Sequence, residues 1–291
     1  MNKKSQAALL SVGSNSVLIA MKVAVGITTG SVSIISEAIH SSMDLMAALI
    51  AFFSVRKSDS PPDKDHPYGH GKIENVSGVI EALLILLASY LIVSEAVKKI
   101  LHPAEIEGIG LGFVVMLISA GVNILVSRRL YKVAKAENSM ALEADALHLK
   151  ADVFTSLGVG VGLMAIWIAG FFGVHAAFLD PAVAICVAVF ITREAVGMLI
   201  RAFQPLMDAS LPQEDHIHIE EVIQKYRPKG DYHQLRTRMA GKHRHIDFHL
   251  TLPGEMVVAE AHRICDLIED ELENRLPFTI VVIHVEPEGN A

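Results

Sequence analysis

The chain has 291 residues, 52% of them hydrophobic, and a mean hydropathy of +0.42. Soluble domains contain about 45–50% apolar residues on a broader count that includes glycine, so this composition indicates a membrane protein. The formal net charge of −7 argues against a nucleic-acid-binding protein, which would present a basic face. The two cysteines, Cys186 and Cys265, have no CxxC neighbour, so we expect neither a disulfide framework nor a thiolate zinc site.

Six apolar segments predict an all-α transmembrane domain in residues 1–207, because about 20 mostly apolar residues suffice to cross the hydrocarbon core. The predicted helices cover residues 7–29, 33–55, 75–100, 109–131, 145–170 and 179–203. The first segment follows a charged N-terminus but has no clear cleavage site. We therefore interpret it as a retained helix rather than a signal peptide.

Basic residues predict the orientation of the six helices. With six spans, the N-terminus, the 56–72 loop, the 128–140 loop and the C-terminal tail share one side of the membrane. Most of the lysines and arginines near the loops lie on that side. The positive-inside rule therefore places both termini in the cytoplasm.

Residues 208–291 change to the periodicity of a soluble domain. A helix is predicted over 213–227, strands over 231–240 and 243–252, a helix over 255–275 and a strand over 278–285. This αββαβ order predicts a small, open-faced α+β domain in the cytoplasm.

Two histidine–aspartate pairs lie inside apolar segments. His40 with Asp44, and His148 with Asp152, each have i,i+4 spacing, which puts both side chains on one face of a helix. An Asp at the centre of a membrane helix costs about 2.5–3.5 kcal/mol. A chain that places the same pair twice therefore suggests one site shared by two helices. Two imidazoles and two carboxylates suit a tetrahedral ion such as Zn²⁺.

Protonation offers a way to release that ion, because the unperturbed pKa of histidine is about 6.5 and protons compete with a metal for the imidazole. We therefore predict an antiport in which H⁺ replaces the departing metal at His40 or His148. Glu37 and Asp145 lie one turn before these histidines. They are either accessory groups of the site or residues of an aqueous vestibule.

Further histidines and acids suggest cytoplasmic metal sites. In the 56–72 loop, His66 and His70 with one aspartate could hold a second ion, although an H-x₃-H pair is also compatible with histidines that face water. In the tail, candidate ligands fall on separate elements that could converge, with surface histidines as the alternative. These tail residues are His233, His249, His262, His284 and Glu286. Lys72 could pair with an acid near the start of the tail, such as Asp208.

The whole pattern resembles the cation diffusion facilitator family of zinc-type metal/proton antiporters. The resemblance rests on four stretches of sequence and covers essentially the whole chain. They are Gly30-Ser31 with Ser36–Asp44, His66–Glu74, Glu143–Asp152, and Leu206–Asp208 followed by Leu235–Arg238.

The resemblance implies a homodimer in the bacterial inner membrane, with a metallochaperone-like cytoplasmic domain and zinc as the transported and regulatory ion. It implies a transport site at His40, Asp44, His148 and Asp152, and a loop site at Asp63, His66 and His70. It also implies a binuclear tail site at the five tail residues named above. An interlock of Lys72, Asp208 and Arg238 is expected to hold the dimer at the membrane surface. Glu286 and Val285 depart from close bacterial relatives, which have Asp and a polar residue there.

Three alternatives stay open on the sequence. The same scaffold could carry Fe²⁺, Co²⁺, Cd²⁺ or Mn²⁺, because ligand chemistry alone does not exclude them. The chain could instead be a non-transporting regulatory protein that binds metal through its tail. A membrane metallohydrolase would need an open coordination position, whereas four protein ligands close this site, so we do not expect an enzyme.

Overall fold

A computed structural model describes residues 2–29, 32–101, 111–171, 179–226 and 231–288. Four parts of the predictions lie outside these ranges. They are Gly30, Ser31, residues 109 and 110 at the start of the predicted fourth helix, and residue 227 at the end of the predicted helix 213–227. The chain divides into two compact units. The first comprises Met1–Pro61 and Ile73–Phe203, and the second comprises Pro62–Lys72 and Gln204–Ala291.

The first unit consists of long helices. They are α1 (Lys3–Thr29), α2 (Val32–Ser58), α3 (Lys72–Leu101), α4 (Leu111–Glu137), α5 (Met140–Phe171) and α6 (Leu179–Phe203). Several extend beyond the predicted ends, since hydropathy locates the hydrocarbon segment and not the polar turns outside it. Between α4 and α5 the chain turns within two residues, with Asn138 at a φ of 48° and Ser139 Oγ accepting a hydrogen bond from the Leu142 amide at 3.5 Å.

Among the described residues, five of these helices are long and apolar enough to cross a membrane: α1, α2, α3, α4 and α6. The N-terminal half of α5 is more polar, because it carries Glu143, Asp145, Lys150 and Asp152. The predicted all-α membrane domain, followed by an α+β domain, is confirmed.

Helix α5 lies at the centre of the first unit, where it packs against α2, α4 and α6. Its residues Leu142 and Leu149 are fully buried in a core shared with α1, α2 and α4. On another side, Ala144 and Ala151 pack against side chains of α3 and α6. Any group that α5 carries on these faces is therefore enclosed by protein.

The second unit contains a short 3₁₀ helix (Gln204–Met207) and the elements α7 (Gln213–Tyr226), β1 (Tyr232–Ala240), β2 (His243–Leu252), α8 (Val258–Arg275) and β3 (Thr279–Pro287). The sheet order is β1-β2-β3, with β1 antiparallel and β3 parallel to the central strand.

Both helices of this unit pack against one face of the sheet. Ile246, Phe248 and Leu250 alternate along β2 and contact buried residues of the helices, such as Ile223 of α7 and Ile268 of α8. Because side chains alternate between the two faces of a strand, Asp247 and His249 project from the opposite face. That face carries the tail histidines described below.

An ion-pair network joins α7 to α8. Glu271 accepts hydrogen bonds from Lys225 Nζ and Arg275 Nη2, both at 2.6 Å, and Arg275 also reaches Glu221 at 3.0 Å. Hydrogen bonding from Lys225, followed by that from Tyr226 and Arg275, lowers the pKa of the Glu271 carboxyl to about 2.

At pH values above 4.5, the ordinary pKa of a glutamate, we expect the ionised Glu271 side chain to stabilise the second unit. This contribution to the free energy of unfolding should be lost as the pH falls toward 2. In Glu271→Gln, the part of the unfolding free energy that changes with pH between about 4.5 and 2 should shrink. Acid unfolding followed by circular dichroism measures this, with Glu273→Gln, an exposed glutamate on the same helix, as the control. Identical acid curves for parent and Glu271→Gln would contradict the assignment.

Candidate metal centres

The four predicted intramembrane ligands are brought together where α2 meets α5. His148 Nε2 of α5 lies 3.2 Å from Asp44 Oδ1 of α2. One ligand atom from each of His40, Asp44 and Asp152 lies within 4.8 Å of the others. Asp44 and His148 are buried, at 7% and 8% exposure. One dehydrated cation could therefore contact side chains of both helices at once.

The four ligands line a single cavity of about 400 Å³ within the first unit. The cavity extends along polar side chains of α1, α4 and α5, and along apolar residues of α3 such as Ile92. Lys22 of α1 also lines it, and its Nζ donates a hydrogen bond to Ser41 Oγ at 2.7 Å. Sequence reasoning missed Lys22, although a lysine in an apolar segment is the kind of signal that pointed to the ligands.

A second group of ligands lies in the loop between α2 and α3. The carboxylate of Asp63 reaches His66 Nδ1 at 3.2 Å and His70 Nε2 at 3.3 Å, and the two rings are 4.6 Å apart. The His66 amide donates to Asp63 Oδ1 at 2.7 Å, and this hydrogen bond is the main reason that the pKa of the Asp63 carboxyl is lowered. A carboxylate whose pKa is lowered and which lies between two imidazoles, one of them buried, is a suitable cation site.

The tail cluster forms a row across the open face of the sheet. His233, His249 and His284 occupy paired positions on β1, β2 and β3, with ring separations of 5.1 and 4.7 Å. Glu286 lies beside them, with Oε1 at 2.8 Å from His249 and 3.4 Å from His284, and Oε2 at 3.4 Å from His233. Its two oxygens point to different histidines, which is the arrangement of a carboxylate that can bridge two ions.

The fifth predicted tail ligand, His262, stands apart from this row. It lies on α8, is exposed, and has its Nδ1 3.7 Å from Asp266. Because α8 packs on the core face of the sheet through Ile268, a side chain of this helix is on the wrong side to join the histidine row of its own chain. Which face of the sheet α8 covers is decided by packing in the folded domain, so the sequence alone does not separate His262 from the row.

The predicted interlock residues are in contact within the second unit. Asp208 Oδ1 lies 2.8 Å from Lys72 Nζ and 3.3 Å from Arg238 Nη1. The hydrogen bond from Lys72, with that from Arg238, lowers the pKa of the Asp208 carboxyl. The Arg238 guanidinium also stacks over the Tyr68 ring, 4.9 Å from its centroid, which sequence reasoning did not anticipate.

Two glycines bring the loop against the β1–β2 hairpin. A Cβ atom built on Gly241, which has a φ of +61°, would lie 2.6 Å from the Cα atom of Gly71. The backbones can approach this closely only because neither residue has a side chain. This contact keeps Lys72 and the loop ligands beside the strand that carries Arg238.

Comparison with known proteins places the chain in a family. The description "Cation efflux transmembrane domain" matches residues 8–207, and "Cation efflux protein, cytoplasmic domain", a dimer-forming type, matches residues 211–288. The chain is 33% identical to the uncharacterized transporter sll1263 of Synechocystis over 96% of its length and 89% of the relative. It is 31% identical to the cation-efflux pump FieF of Klebsiella pneumoniae, with coverage of 98% and 93%.

Solved structures resemble the C-terminal part. A structure described as the Zn form of CzrB is 39% identical and covers 28% of this chain and 94% of its own, with a TM-score of 0.27. The metal-bound C-terminal domain of the CzcD transporter from Thermotoga maritima is 30% identical, with coverage of 27% and 93% and a TM-score of 0.26.

The helical unit and its family match define an integral membrane transporter of divalent metal cations with a dimer-forming cytoplasmic domain. The chain belongs to the cation efflux family, which is the cation diffusion facilitator family that its motifs resemble.

If Glu286 bridges two ions, Glu286→Gln should reduce the zinc retained by the purified full chain by about one ion or more per protomer, because an amide is a much poorer bridge than a carboxylate. Elemental analysis after dialysis against zinc provides the count. Glu288→Gln, an exposed glutamate two residues further on, should retain the parent content. Equal zinc content in parent and Glu286→Gln would refute the bridge.

Substitution of Gly241 should release the loop from the hairpin. In Gly241→Ala, the positive φ alone costs about 1–2 kcal/mol, and the new methyl group collides with Gly71. Trypsin should therefore cut the full chain at Lys64, inside the loop, faster than in the parent. In the control Gly254→Ala, the added Cβ has its nearest neighbour at 3.8 Å, so the cleavage rate should not change. Equal cleavage of both variants would argue against the glycine contact.

Proposed function

We propose that the chain exports Zn²⁺ from the cytoplasm by exchange for protons. The observation that carries this proposal is the convergence of two imidazoles and two carboxylates, from α2 and α5, on one cavity inside the helical unit. Two nitrogen and two oxygen ligands favour zinc over harder ions. Protons compete for the ligating imidazoles, so a more acidic compartment promotes release of the metal.

The direction of the cavity supports alternating access. In the orientation that the basic residues predict, Ile92 of α3 and Met116 of α4 lie in the outer halves of their helices, and both line the cavity. The site in this conformation is therefore directed to the non-cytoplasmic side. A transporter of this kind moves its ion by rocking helices around a central site.

A buried polar network joins the cytoplasmic ends of the helices. Lys4 of α1 forms ion pairs with Glu74 of α3 at 2.8 Å and with Asp59, after α2, at 2.6 Å. Glu74 also accepts hydrogen bonds from Ser58 and Ser139, which lies just before α5. Opening of the site toward the cytoplasm would have to expose or break this network. We therefore assign to the network the role of keeping the cytoplasmic side closed in the outward-directed state.

The cytoplasmic unit provides the regulatory sites. Ions at the loop cluster and at the tail row would bind to a unit of the dimer-forming type, in which Lys72, Asp208 and Arg238 are in contact with one another. Metal sensing requires that the ions bind one dimer arrangement more tightly than another. Both termini lie in the cytoplasm, and the membrane is the bacterial inner membrane.

Other metals define the second candidate. The affinity of mixed nitrogen and oxygen ligands rises along the first row, so Fe²⁺ and Co²⁺ fit the same four ligands with lower affinity. Flux of zinc, iron, cobalt, cadmium and manganese measured in parallel decides among them. A non-transporting regulator would bind zinc in detergent and move none of these ions.

We expect His148→Ala and Asp152→Asn to lower proton-driven zinc uptake into proteoliposomes by about two orders of magnitude or more, since even indirect partners of metal ligands contribute 10–100-fold. The measurement uses a fluorescent zinc indicator inside vesicles with an imposed pH gradient. His218→Ala, which removes an exposed histidine of α7, serves as the control. Parent-like flux in His148→Ala would end the proposal.

A further inference from the structure

A second cavity lies in the helical unit between α4, α5 and α6, and it shares no lining residue with the metal cavity. Its volume of about 540 Å³ is in the range of small-molecule pockets, about 300–1,000 Å³. Among the described residues, its lining carries four basic side chains and two acidic ones. They are Arg128, Lys132, Lys150 and Arg201, with Glu143 and Glu194. Positive charge is therefore in excess, which makes this cavity unsuitable for a metal cation and suitable for an anion.

Most of these basic groups have no carboxylate of the chain as a partner. Glu143 is shared by two cations, because its oxygens lie 3.2 Å from Lys135 Nζ and 3.4 Å from Arg201 Nη2. Within the part of the chain that the structure describes, Arg128, Lys132 and Lys150 form no ion pair with Glu194 or with any other acid. The cavity therefore presents three cations that a bound anion could neutralise.

Lys150 lies deep in the membrane domain. It is between His148 and Asp152 in the chain, but it is exposed and lines the second cavity, whereas those two residues line the first. About 15 Å of helix separate it from Met140, the first residue of α5. The positive-inside rule accounts for basic residues at helix ends and not for one at this depth. Charged residues within membrane helices pair with an opposite charge or face a cavity, and they commonly mark a functional site.

The side chain of Arg201 is turned toward the membrane centre. Its Nη1 lies 3.4 Å from the position of a Cβ atom built on Gly197, one turn earlier in α6. In the proposed orientation, the C-terminal end of α6 faces the cytoplasm. An arginine near such an end commonly extends its charged group outward to water. Here the ion pair with Glu143 directs the guanidinium inward instead, so that it adds to the positive charge of the cavity.

The headgroup and the upper acyl chain of an anionic phospholipid match this lining. A phosphate accepts charge-assisted hydrogen bonds from arginine and lysine. The lining also contains apolar side chains, such as Leu147, Val153 and Met198, against which an acyl chain can pack. Tyr131, half exposed, contributes an amphipathic ring of the kind found at headgroup level. Basic pockets between membrane helices on the cytoplasmic side are suited to anionic lipid headgroups.

We propose that the cavity between α4, α5 and α6 binds an anionic phospholipid of the cytoplasmic leaflet, with Arg128, Lys132 and Lys150 holding its phosphate. A lipid bound there contacts three helices, and α5 is the helix that carries His148 and Asp152. The bound lipid therefore stabilises the helical unit. This site is independent of the proposed zinc export, because it shares no lining residue with the metal cavity.

The test is lipid titration of the delipidated, purified full chain in detergent, with bound lipids counted by native mass spectrometry. Phosphatidylglycerol should bind the parent more tightly than phosphatidylcholine and raise its melting temperature. Arg128→Gln and Lys150→Gln should each weaken phosphatidylglycerol binding by about tenfold, the effect of losing one hydrogen bond between charged groups. Lys150→Arg keeps the charge and should bind like the parent. Arg129→Gln is the matched control, because Arg129 is exposed on the same helix and does not line the cavity.

Three results would overturn the inference. The first is parent-like phosphatidylglycerol affinity in both Arg128→Gln and Lys150→Gln, or an equal loss in Arg129→Gln, which would indicate attraction by surface charge alone. The second is displacement of the lipid by inorganic phosphate at equal concentration, which would indicate a site for a soluble anion. The third is loss of the dimer in Lys150→Gln with unchanged lipid binding, which would assign the cavity to a second copy of the chain. Lipid binding is measured without zinc, so a parent chain that moves no metal would reject the proposed function and leave this test intact.

Discussion

The cost of burying charge in hydrocarbon is the constraint on which the rest of the structure depends. Asp44 and His148 are almost inaccessible and lie 3.2 Å apart, so each partly compensates the other. Full compensation of the two carboxylates requires positive charge in the site, either from a metal ion or from protons on the imidazoles. The close approach of α2 and α5 is therefore both a packing requirement and the origin of the proposed metal site, and buried alanines such as Ala47 and Ala144 favour such an approach.

In the cytoplasmic unit, strand register and a turn, rather than helix packing, place the candidate ligands. Its sheet holds His233, His249 and His284 at paired positions, so the strand register itself sets the spacing of the row. The side chain of Glu286 is one methylene longer than that of an aspartate, and both of its oxygens reach histidines. The loop site depends instead on a turn in which Asp63 accepts hydrogen bonds from the backbone.

Much of this could be predicted from the sequence, because it follows from periodicity. The i,i+4 pairs, the apolar segments and the αββαβ order are all local patterns. The helix ends were less predictable, since α4 continues to Glu137 and α5 begins at Met140, both beyond the apolar segments, with only Asn138 and Ser139 between them. Glu81, a fully buried acid of α3, was overlooked because it is not part of a repeated pattern in the sequence.

The position of His262 shows where local patterns stop being informative. The sequence predicts that α8 is amphipathic, but which face of the sheet it covers is decided by packing against Phe248 and its neighbours. The close contact of Gly71 with Gly241 could not be predicted from local patterns either. The two glycines are far apart in the chain, and they meet only when the loop packs against the hairpin.

The row of histidines also crosses the sheet from one edge to the other. Strands β1 and β3 are the two edges, and each is joined only to β2. Edge strands are the parts of a sheet that fray first, and backbone amides there exchange with solvent through local opening. A metal held by ligands on all three strands would link both edges to the centre. The rate at which the outer amides exchange their hydrogens would then report how much metal the cytoplasm contains.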